Sequence, residues 1–595
     1  MRNLISRLWT DEAGRVWGDV IVNLTLKQLS DQLKKLVHRT VLTAAVGLFF
    51  GFVMAFVSNA FILGVRRIAG LRDDPGWFSV TISGVDIPLL PMASLLSAVC
   101  LILLIRRYFS IKDWKGPADA IYAAHRSDNE LDVKAGFGST LAAFVSASGG
   151  ASVGQYGPLV HFGATLGSFI QHRFRFGITT DVYIGCGVAG AIAAGFNAPI
   201  AAIVFAHEAI LRHFSLRTVA PIAISSISAA SISSWAFGGN RLFQIEVIPV
   251  PLLTLMPVAL ICGPIFGLLA VLYMHAIRSA QRYAGRSRLS MVQKLLIAAI
   301  GTGIVGTMMP ELFGFGIREI LLMLKGQFGT EMLLAMLAGK ILLTALCLGF
   351  GMFGGVFSPA LFVGAAGGSI ANRLLLLAGL SIPAPALVTC GMAAVGSAVI
   401  GAPIAGVLIM LELTMSYEYA LAAMLSVVMS ALVAYPLFGL SFFDRQLIDR
   451  GIDISQGRGH LQVMETYIST MVSQDYIVIE RNTAVKDGIS MMVEKGTSEA
   501  YILDDHGVYI GKLGLHQLLR APPDDRVEPY IIADSLILKK DASLMQAIEL
   551  GSEFVGEHIP VIDMETGIME GVITEADLFQ AYLKLQNQIV DLERR

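Results

Sequence analysis

Three stretches of this chain, residues 135–160, 341–372 and 374–411, contain no Asp, Glu, Lys, Arg or His. Each exceeds the ~20 apolar residues that a helix needs to cross a bilayer. None reads as a plain span, because glycine and proline break them. Gly149-Gly150, Gly154 and Gly157-Pro158 interrupt the first, Gly354-Gly355 and Pro359 the second, and Gly401 and Pro403 the third. Backbone broken at membrane depth is tolerated where it is buried in protein or lines a cavity. The pattern therefore predicts a polytopic membrane protein with its chemistry inside the helix assembly.

Composition agrees. Only 15% of the 595 residues are charged, against about 25% in soluble proteins. The balance of 44 basic and 46 acidic residues, net −2, excludes a strongly basic nucleic-acid binder and an acidic disordered chain. The charge is unevenly spread. Residues 461–595 carry about 25% charged residues, and the first 460 only about 12%. We expect an amphipathic N-terminal segment at 1–39, a membrane domain at 40–455 and a soluble domain at 456–595. The start, MRNLISRLWTDEAGRVW, has no apolar core and does not read as a signal peptide. The basic run Lys27, Lys34, Lys35, His38 and Arg39 favours a cytoplasmic N-terminus, although Arg66, Arg67 and Arg72 follow the first span. Ordinary spans are expected at 41–64, 88–105, 218–237, 251–278, 291–309, 331–350 and 419–438.

The membrane part repeats itself. CGVAGAIAAGFNAPIAAIVFAHE (186–208) aligns without gaps on CGMAAVGSAVIGAPIAGVLIMLE (390–412). Upstream, Pro158, Gly163, Ala164, Gly167 and Ser168 match Pro359, Gly364, Ala365, Gly368 and Ser369 in the same order. Gly/Pro-interrupted apolar segments at corresponding places in two halves point to a transporter binding site. The chemistry follows from helix ends. Pro158 suits a first helical turn. Gly154 and Gly157 allow close approach of the backbone, and the N–H groups of Gln155, Tyr156 and Gly157 would be free to meet an anion. The second half repeats the design at Pro359, with the N–H groups of Val356 and Phe357. Two helix N-termini could thus hold an anion without a full positive charge, tightly enough to enter and weakly enough to leave. The same glycines equally suit close helix packing. A third such turn is Trp114-Lys115-Gly116-Pro117, where Lys115 faces a pore or snorkels to an interface.

Other polar residues have quieter readings. Glu208 and Glu412 end the matched repeats and are expected to be structural, hydrogen-bonded near helix ends. His161 and His207 are read as satisfied core or interface residues. Cys100, Cys186, Cys262, Cys347 and Cys390 lie in apolar stretches without metal or disulfide spacing and are read as buried small apolar side chains. No nucleophile elbow, Walker A loop or zinc motif occurs, so an enzyme is not expected.

These residues resemble the CLC family of chloride channels and proton/chloride exchangers over about residues 35–455. The family's GREGP motif corresponds to Gly154-Gln155-Tyr156-Gly157-Pro158, and its GGIFAP-type motif to Gly355-Val356-Phe357-Ser358-Pro359. FNAP (196–199) and GAPIAGVLIMLELT (401–414) are also similar. The tail resembles a CBS-domain pair, at about 467–520 and 530–583, each unit reading strand, helix, strand, strand, helix. The resemblance implies a polytopic all-α membrane protein of two inverted-topology repeats with broken helices, followed by a cytoplasmic α/β CBS pair. It further implies a homodimer with one pore per subunit, chloride or a similar small anion as substrate, lipid as solvent and no nucleic acid. Both termini would be cytoplasmic, in a plasma or inner membrane.

The departures from the family bear on mechanism. The gating Glu of GREGP, also the external proton carrier of exchangers, is Tyr156 here. The internal relay glutamate falls on Ala209. A tyrosine with a pKa of about 10 cannot cycle a proton at neutral pH. Its ring could still plug the pore, so Tyr156 is expected to be an uncharged gate. The family's central pore tyrosine aligns with Phe443. Its GSGIP serine falls on Lys115 or on Trp114, depending on whether Gly116 or Pro117 is aligned. In the tail, Gly571, Thr574 and Asp577 match the pattern that binds ribose in nucleotide-binding CBS pairs, with Gly514 and Gln517 in the first unit. An adenine nucleotide and a purely structural pair both fit; no other cofactor and no metal are expected. Passive anion conduction is the leading expectation. A proton-coupled exchanger rerouted through His161 or His207, and a weakly conducting sensor or scaffold, are the alternatives.

Overall fold

A computed structural model describes residues 12–594 apart from 73–78, 83–84, 127–128, 175–176, 239–246, 455–456, 553 and 555. It divides into two compact units, residues 1–124 with 128–450, and 125–127 with 451–595.

The first unit is helical. All seven expected spans are present, as Val37–Arg72, Leu90–Tyr108, Arg217–Phe237, Leu252–Arg286, Met291–Met308, Thr330–Gly349 and Tyr417–Ile448, and Phe357–Leu377 is an eighth helix long and apolar enough to cross. The first span is the end of one helix, Glu12–Arg72. The expected separate segment at 1–39 is therefore not divided from it, and residues 1–11 lie outside the described residues. No proline falls between 12 and 72 to stop the helix.

Between the spans lie the broken segments, and the repeat governs their geometry. Helix Thr180–Phe196 ends on Asn197, and helix Ala384–Ile400 on Gly401. Both caps are left-handed, with φ 53° and 71°. The next residues are Ala198 (φ −128°, ψ 76°) and Ala402 (φ −132°, ψ 76°), each followed by proline at the start of a new helix. A left-handed cap ends one helix, and proline pre-sets φ for the next. The acids at the repeat ends then exchange partners. Glu208 accepts from the N–H groups of Ile404 (3.0 Å) and Ala405 (2.8 Å). Glu412 accepts from those of Ile200 (3.0 Å) and Ala201 (2.8 Å). Each half thus caps the helix start of the other, satisfying N–H groups that have no partner within their own helix.

The matched glycines meet across helix pairs. A Cβ on Gly163 would lie 2.3 Å from the carbonyl oxygen of Gly187, and one on Gly364 would lie 2.3 Å from that of Gly391. No side chain fits either crossing.

One local difference separates the halves. Pro403–Thr414 is an ordinary α-helix, whereas its counterpart turns into a π-helix over Ala206–Leu211. From the proline, the left-handed cap falls at Arg212 in the first half and one position earlier at Met415 in the second. The extra residue after Glu208 is absorbed as a π-bulge.

The second unit holds two strand–helix–strand–strand–helix arrangements. In the first, Val478 bridges parallel to Tyr501, helix Val485–Lys495 follows, and strands Glu499–Leu503 and Tyr509–Gly514 pair antiparallel before a short helix, Leu515–Leu518. In the second, Leu538–Lys539 pairs parallel to Ile559–Ile562, which pairs antiparallel to Met569–Ile573, with helices Leu544–Gly551 and Glu575–Arg594. The segment from Tyr467 belongs with the second arrangement rather than opening the first. Ile468 donates to the carbonyl of Ala542, Ser473 and Val572 exchange backbone hydrogen bonds, and Ile468 packs in the core with Leu538, Leu544 and Ile559.

Candidate functional site: convergent helix starts around Tyr156

Three helix starts converge inside the membrane unit. Helix Tyr156–Phe174 begins after Gln155, whose carbonyl accepts from Leu159 N. Helix Phe357–Leu377 begins after Val356, whose carbonyl accepts from Ala360 N and from the buried Tyr273 hydroxyl (2.8 Å). The residues ahead of them lock together. Gly154 N donates to Gly355 O (2.6 Å) and Gly355 N to Gly154 O (2.7 Å). A Cβ on Gly154 would stand 2.7 Å from that oxygen, so only glycine permits the clasp. The clasp holds both helix starts, with the N–H groups of Tyr156, Gly157 and Phe357 left over by position. The third start, helix Pro117–His125, adjoins them: a Cβ on Gly157 would meet the Pro117 ring at 3.5 Å, and one on Gly116 the Phe353 ring at 3.8 Å.

Lys115 is not a free pore cation. Its ammonium pairs with Asp119 at 3.6 Å, and Arg450 binds the same carboxylate at 3.0 Å. Its backbone N–H donates to Ser139 Oγ (3.0 Å). Trp114 donates to Gly351 O (3.0 Å) and stacks on Phe353, centroids 5.4 Å apart. Asp119 draws Lys115 because it sits four residues on, one helical turn away. Phe443 is buried, and its ring contact among the described residues is with Phe442.

Tyr156 opens the first of these helices, and its ring reaches the end of another and the start of the second. It is 2% exposed. Its ring lies face to face with Phe196, centroids 3.7 Å apart, and edge-on to Phe357 at 6.2 Å. The hydroxyl donates to Gly195 O at 3.4 Å, at the limit of a hydrogen bond. Beside it, Gln155 is fully buried with neither amide atom hydrogen-bonded, and the buried Ser358 hydroxyl is also without a partner. Gln155, Tyr156 and Ser358 line a cavity of about 10 Å³ with Phe315, Ile317, Ile320 and Leu361. Phe315 and Ile317 also line a cavity of about 1060 Å³ that carries Arg66, Arg72, Arg318 and Lys325 against Glu311 and Glu319. Dominant positive charge in such a vestibule concentrates anions.

Several contributors gave little sequence signal. Phe196 and Phe315 are ordinary apolar letters until the fold sets them against Tyr156. Lys340 did carry one, as a lysine inside an apolar span. It is fully buried and donates to the carbonyls of Leu312 (3.2 Å) and Gly314 (2.7 Å), fixing the loop that bears Phe315.

A second cavity, about 330 Å³, is lined by His207, Glu208, Arg212, Tyr435 and Asp444 among others. Asp444 ion-pairs with Arg212, and His207 uses Nδ1 on the His213 carbonyl (2.8 Å). Ala209 is buried in the π-helix. His161 is buried, with Nε2 3.3 Å from Thr165 Oγ1. The cysteines are unpaired; four are buried and Cys100 is exposed on a membrane helix, a correction to its expected burial. In the second unit Asp577 accepts from the N–H and hydroxyl of Thr574 (3.0 and 2.7 Å), and Gly571 holds φ 147°. Among the described residues no cluster of three or more His, Cys, Asp or Glu could hold a metal.

Two halves that cap each other, with discontinuous helices whose starts converge on buried polar groups, define an integral membrane protein of the inverted-repeat class. The profile described as voltage gated chloride channel matches residues 96–435, and the chain belongs to that family. It is 28% identical over 344 residues to the putative chloride channel protein ClcB-like of Ralstonia nicotianae, covering 56% of this chain and 79% of that one. It is 28% identical over 416 residues to the H(+)/Cl(-) exchange transporter ClcA of Vibrio parahaemolyticus, covering 67% and 87%. Among solved structures, a slow cyanobacterial Cl-/H+ antiporter matches with a TM-score of 0.62 at 22% identity, covering 69% of this chain and 97% of that one. A eukaryotic CLC transporter matches with a TM-score of 0.59 at 18% identity, covering 91% and 98%. The last match extends the likeness of fold into the second unit.

Proposed function

We propose that this protein moves chloride or a similar small anion passively across the membrane, without coupling to protons. The observation that carries the reading is the placement of Tyr156. Its ring stacks on Phe196 and meets Phe357 edge-on beside the clasped helix starts, where the resembling family has a titratable gate. A phenol with an ordinary pKa of about 10 holds its proton across the physiological range. Ala209, at the inner relay position, offers no proton site. Ring displacement, rather than proton release, is then the opening step. The test is anion flux from liposomes across a pH gradient. The reversal potential should follow the anion gradient alone; proton uptake driven by a chloride gradient would sink the proposal.

A second reading, exchange through a rerouted relay, draws support from the relatives described as H(+)/Cl(-) exchange transporters and from His207, whose Nε2 is unpartnered beside the 330 Å³ cavity. Loss of proton coupling in His207→Ala or His161→Ala would favour it. The leading reading also includes a homodimer, consistent with the equal 56% exposure of Ile200 and Ile404 beside the reciprocal caps, and tested by the mass of the solubilised protein. In the tail it includes an adenine nucleotide near Gly571, Thr574 and Asp577, tested by calorimetry with ATP and AMP.

A further inference from the structure

Helix Leu252–Arg286 is longer than a bilayer requires. Residues 252–274 contain no Asp, Glu, Lys, Arg or His. At 1.5 Å per residue they cover about 34 Å, enough for a hydrocarbon core of about 30 Å. Residues 275–294 then carry His275, Arg278, Arg282, Arg286, Arg288 and Lys294, and no acid. They run through the last turns of that helix, a short link and the first turn of helix Met291–Met308. The cations therefore gather at one end of a helical hairpin.

Arg278 has a partner of its own. It binds Asp449 through two hydrogen bonds (2.7 and 2.5 Å), and Asp449 is one residue short of the end of the membrane unit. The hairpin end thus lies on the side from which the chain leaves for the second unit. Arg445 also reaches Asp449, at 3.9 Å. Arg282, Arg286 and Arg288 are exposed, and none has a carboxylate within ion-pair distance among the described residues. The dipole at a helix C-terminus favours Arg286, but it falls off within the last turn and does not account for Arg282.

The same helix indicates what these arginines face. Ile261, Ile265, Leu268 and Leu272 are exposed at spacings of three and four, the apolar stripe of one helix face. Ser279, Tyr283 and Arg286 continue that stripe and are exposed too. An exposed tyrosine between an apolar stripe and arginines is the arrangement of a membrane–water interface. A lipid phosphate meets both the cations and the apolar surface beside them, whereas a soluble polyanion uses the cations alone.

We propose that Arg282, Arg286 and Arg288 form a docking surface for the phosphate groups of anionic phospholipids in the leaflet on that side, with Tyr283 at the acyl boundary. The guanidinium fork matches phosphate oxygens in pairs, and no acid of the hairpin competes for it. The inference is independent of the anion-transport reading.

The test places the full chain in micelles holding equal amounts of phosphatidylglycerol and phosphatidylcholine, and native mass spectrometry counts the lipid retained. The parent should retain phosphatidylglycerol preferentially, and added salt should weaken that preference. One cation near an anionic surface contributes about fivefold in affinity, so R282Q/R286Q/R288Q should cut the preference by roughly a hundredfold at low salt. Lysine at the three positions should keep most of it. Equal retention of the two lipids by the parent, or an unchanged preference in the glutamine variant, overturns the proposal. Displacement of the lipid by inorganic phosphate also overturns it, since the surface would then read a soluble anion. So does binding of polyglutamate by a parent without lipid preference, which would make the occupant an acidic protein segment. If the triple glutamine variant is not monodisperse, Arg282→Gln alone decides, with a loss of about fivefold expected and no loss overturning the proposal.

Discussion

The ring of Tyr156 lies flat on that of Phe196, with centroids 3.7 Å apart and planes inclined by 19°. Phe196 is the last residue of its helix, directly ahead of the left-handed Asn197. The stack therefore joins the start of one broken helix to the end of another. Phe357 meets both rings at steep angles, 72° and 68°. Aromatic contacts of this kind contribute roughly 0.5–1.5 kcal/mol beyond burial, small enough for the ring to swing aside on a functional timescale.

Tyr156→Ala removes the plug while leaving the Gly154–Gly355 clasp in place. Anion flux in liposomes should rise several-fold. Tyr156→Phe keeps the ring and loses only a long hydroxyl contact to Gly195, so its flux should stay within about twofold of the parent. Equal flux in all three proteins would show that the ring does not obstruct the path.

Proton coupling should be restorable only in pairs. Tyr156→Glu supplies one titratable group and Ala209→Glu the other, at opposite ends of the relay implied by the family resemblance. The double variant is expected to take up protons driven by a chloride gradient, and neither single variant should. A pH electrode on a liposome suspension reads this directly. Coupling in a single variant would place a second relay group elsewhere, with His207 the first to substitute.

Glu208 and Glu412 bind mirror-image pairs of N–H groups at matching distances. Glu208→Ala and Glu412→Ala should therefore destabilise the membrane unit by similar amounts, about 1–3 kcal/mol each, because two helix-start donors lose a charged acceptor. Thermal unfolding in detergent measures this. A large effect from one variant and none from the other would mean that the caps are unequal in weight.

Gly163→Ala and Gly364→Ala would drive a methyl into a carbonyl oxygen 2.3 Å away. Both should abolish the monodisperse solubilised protein. Gly285→Ala is the control: it lies within a helix with nothing within 4 Å of the added carbon, and should be neutral or stabilising by about 1 kcal/mol.

In the tail, Glu557 accepts from the Ser498 N–H at 3.0 Å. That backbone hydrogen bond holds its carboxyl below the ordinary glutamate value. A depressed folded pKa gives stability that is fully present above the unfolded value and is lost as pH falls through the folded one. Hydrogen exchange at strand Glu499–Leu503 in the full chain should accelerate across that range. Glu557→Gln keeps an acceptor and removes the proton equilibrium, so it should flatten this dependence.

Much of the fold was legible because it rests on local chemistry. Charge-free stretches require the membrane, and the prolines at 199 and 403 must begin helices. The gapless match of 186–208 on 390–412 fixes two equivalent halves. The site was half legible. Glycines 154, 157 and 355 announced a close approach of backbones, but nothing local said that Gly154 would clasp Gly355 from the other half. Lys115 was readable as a pore cation or an interface residue until Asp119 and Arg450 were found around it.

By itself the sequence determined that this chain enters the membrane and that it does so in two related halves, and the family resemblance set Tyr156 and Ala209 where its relay acids are expected. Covalent order and side-chain chemistry suffice for those statements. Only the tertiary structure decided that the ring of Tyr156 rests on Phe196, that each half caps the other, and that Gln155 and Ser358 share one small cavity without a protein partner. These are contacts between residues tens to hundreds of positions apart, and their geometry is set by helix packing at the glycine crossings, which no single stretch of sequence encodes.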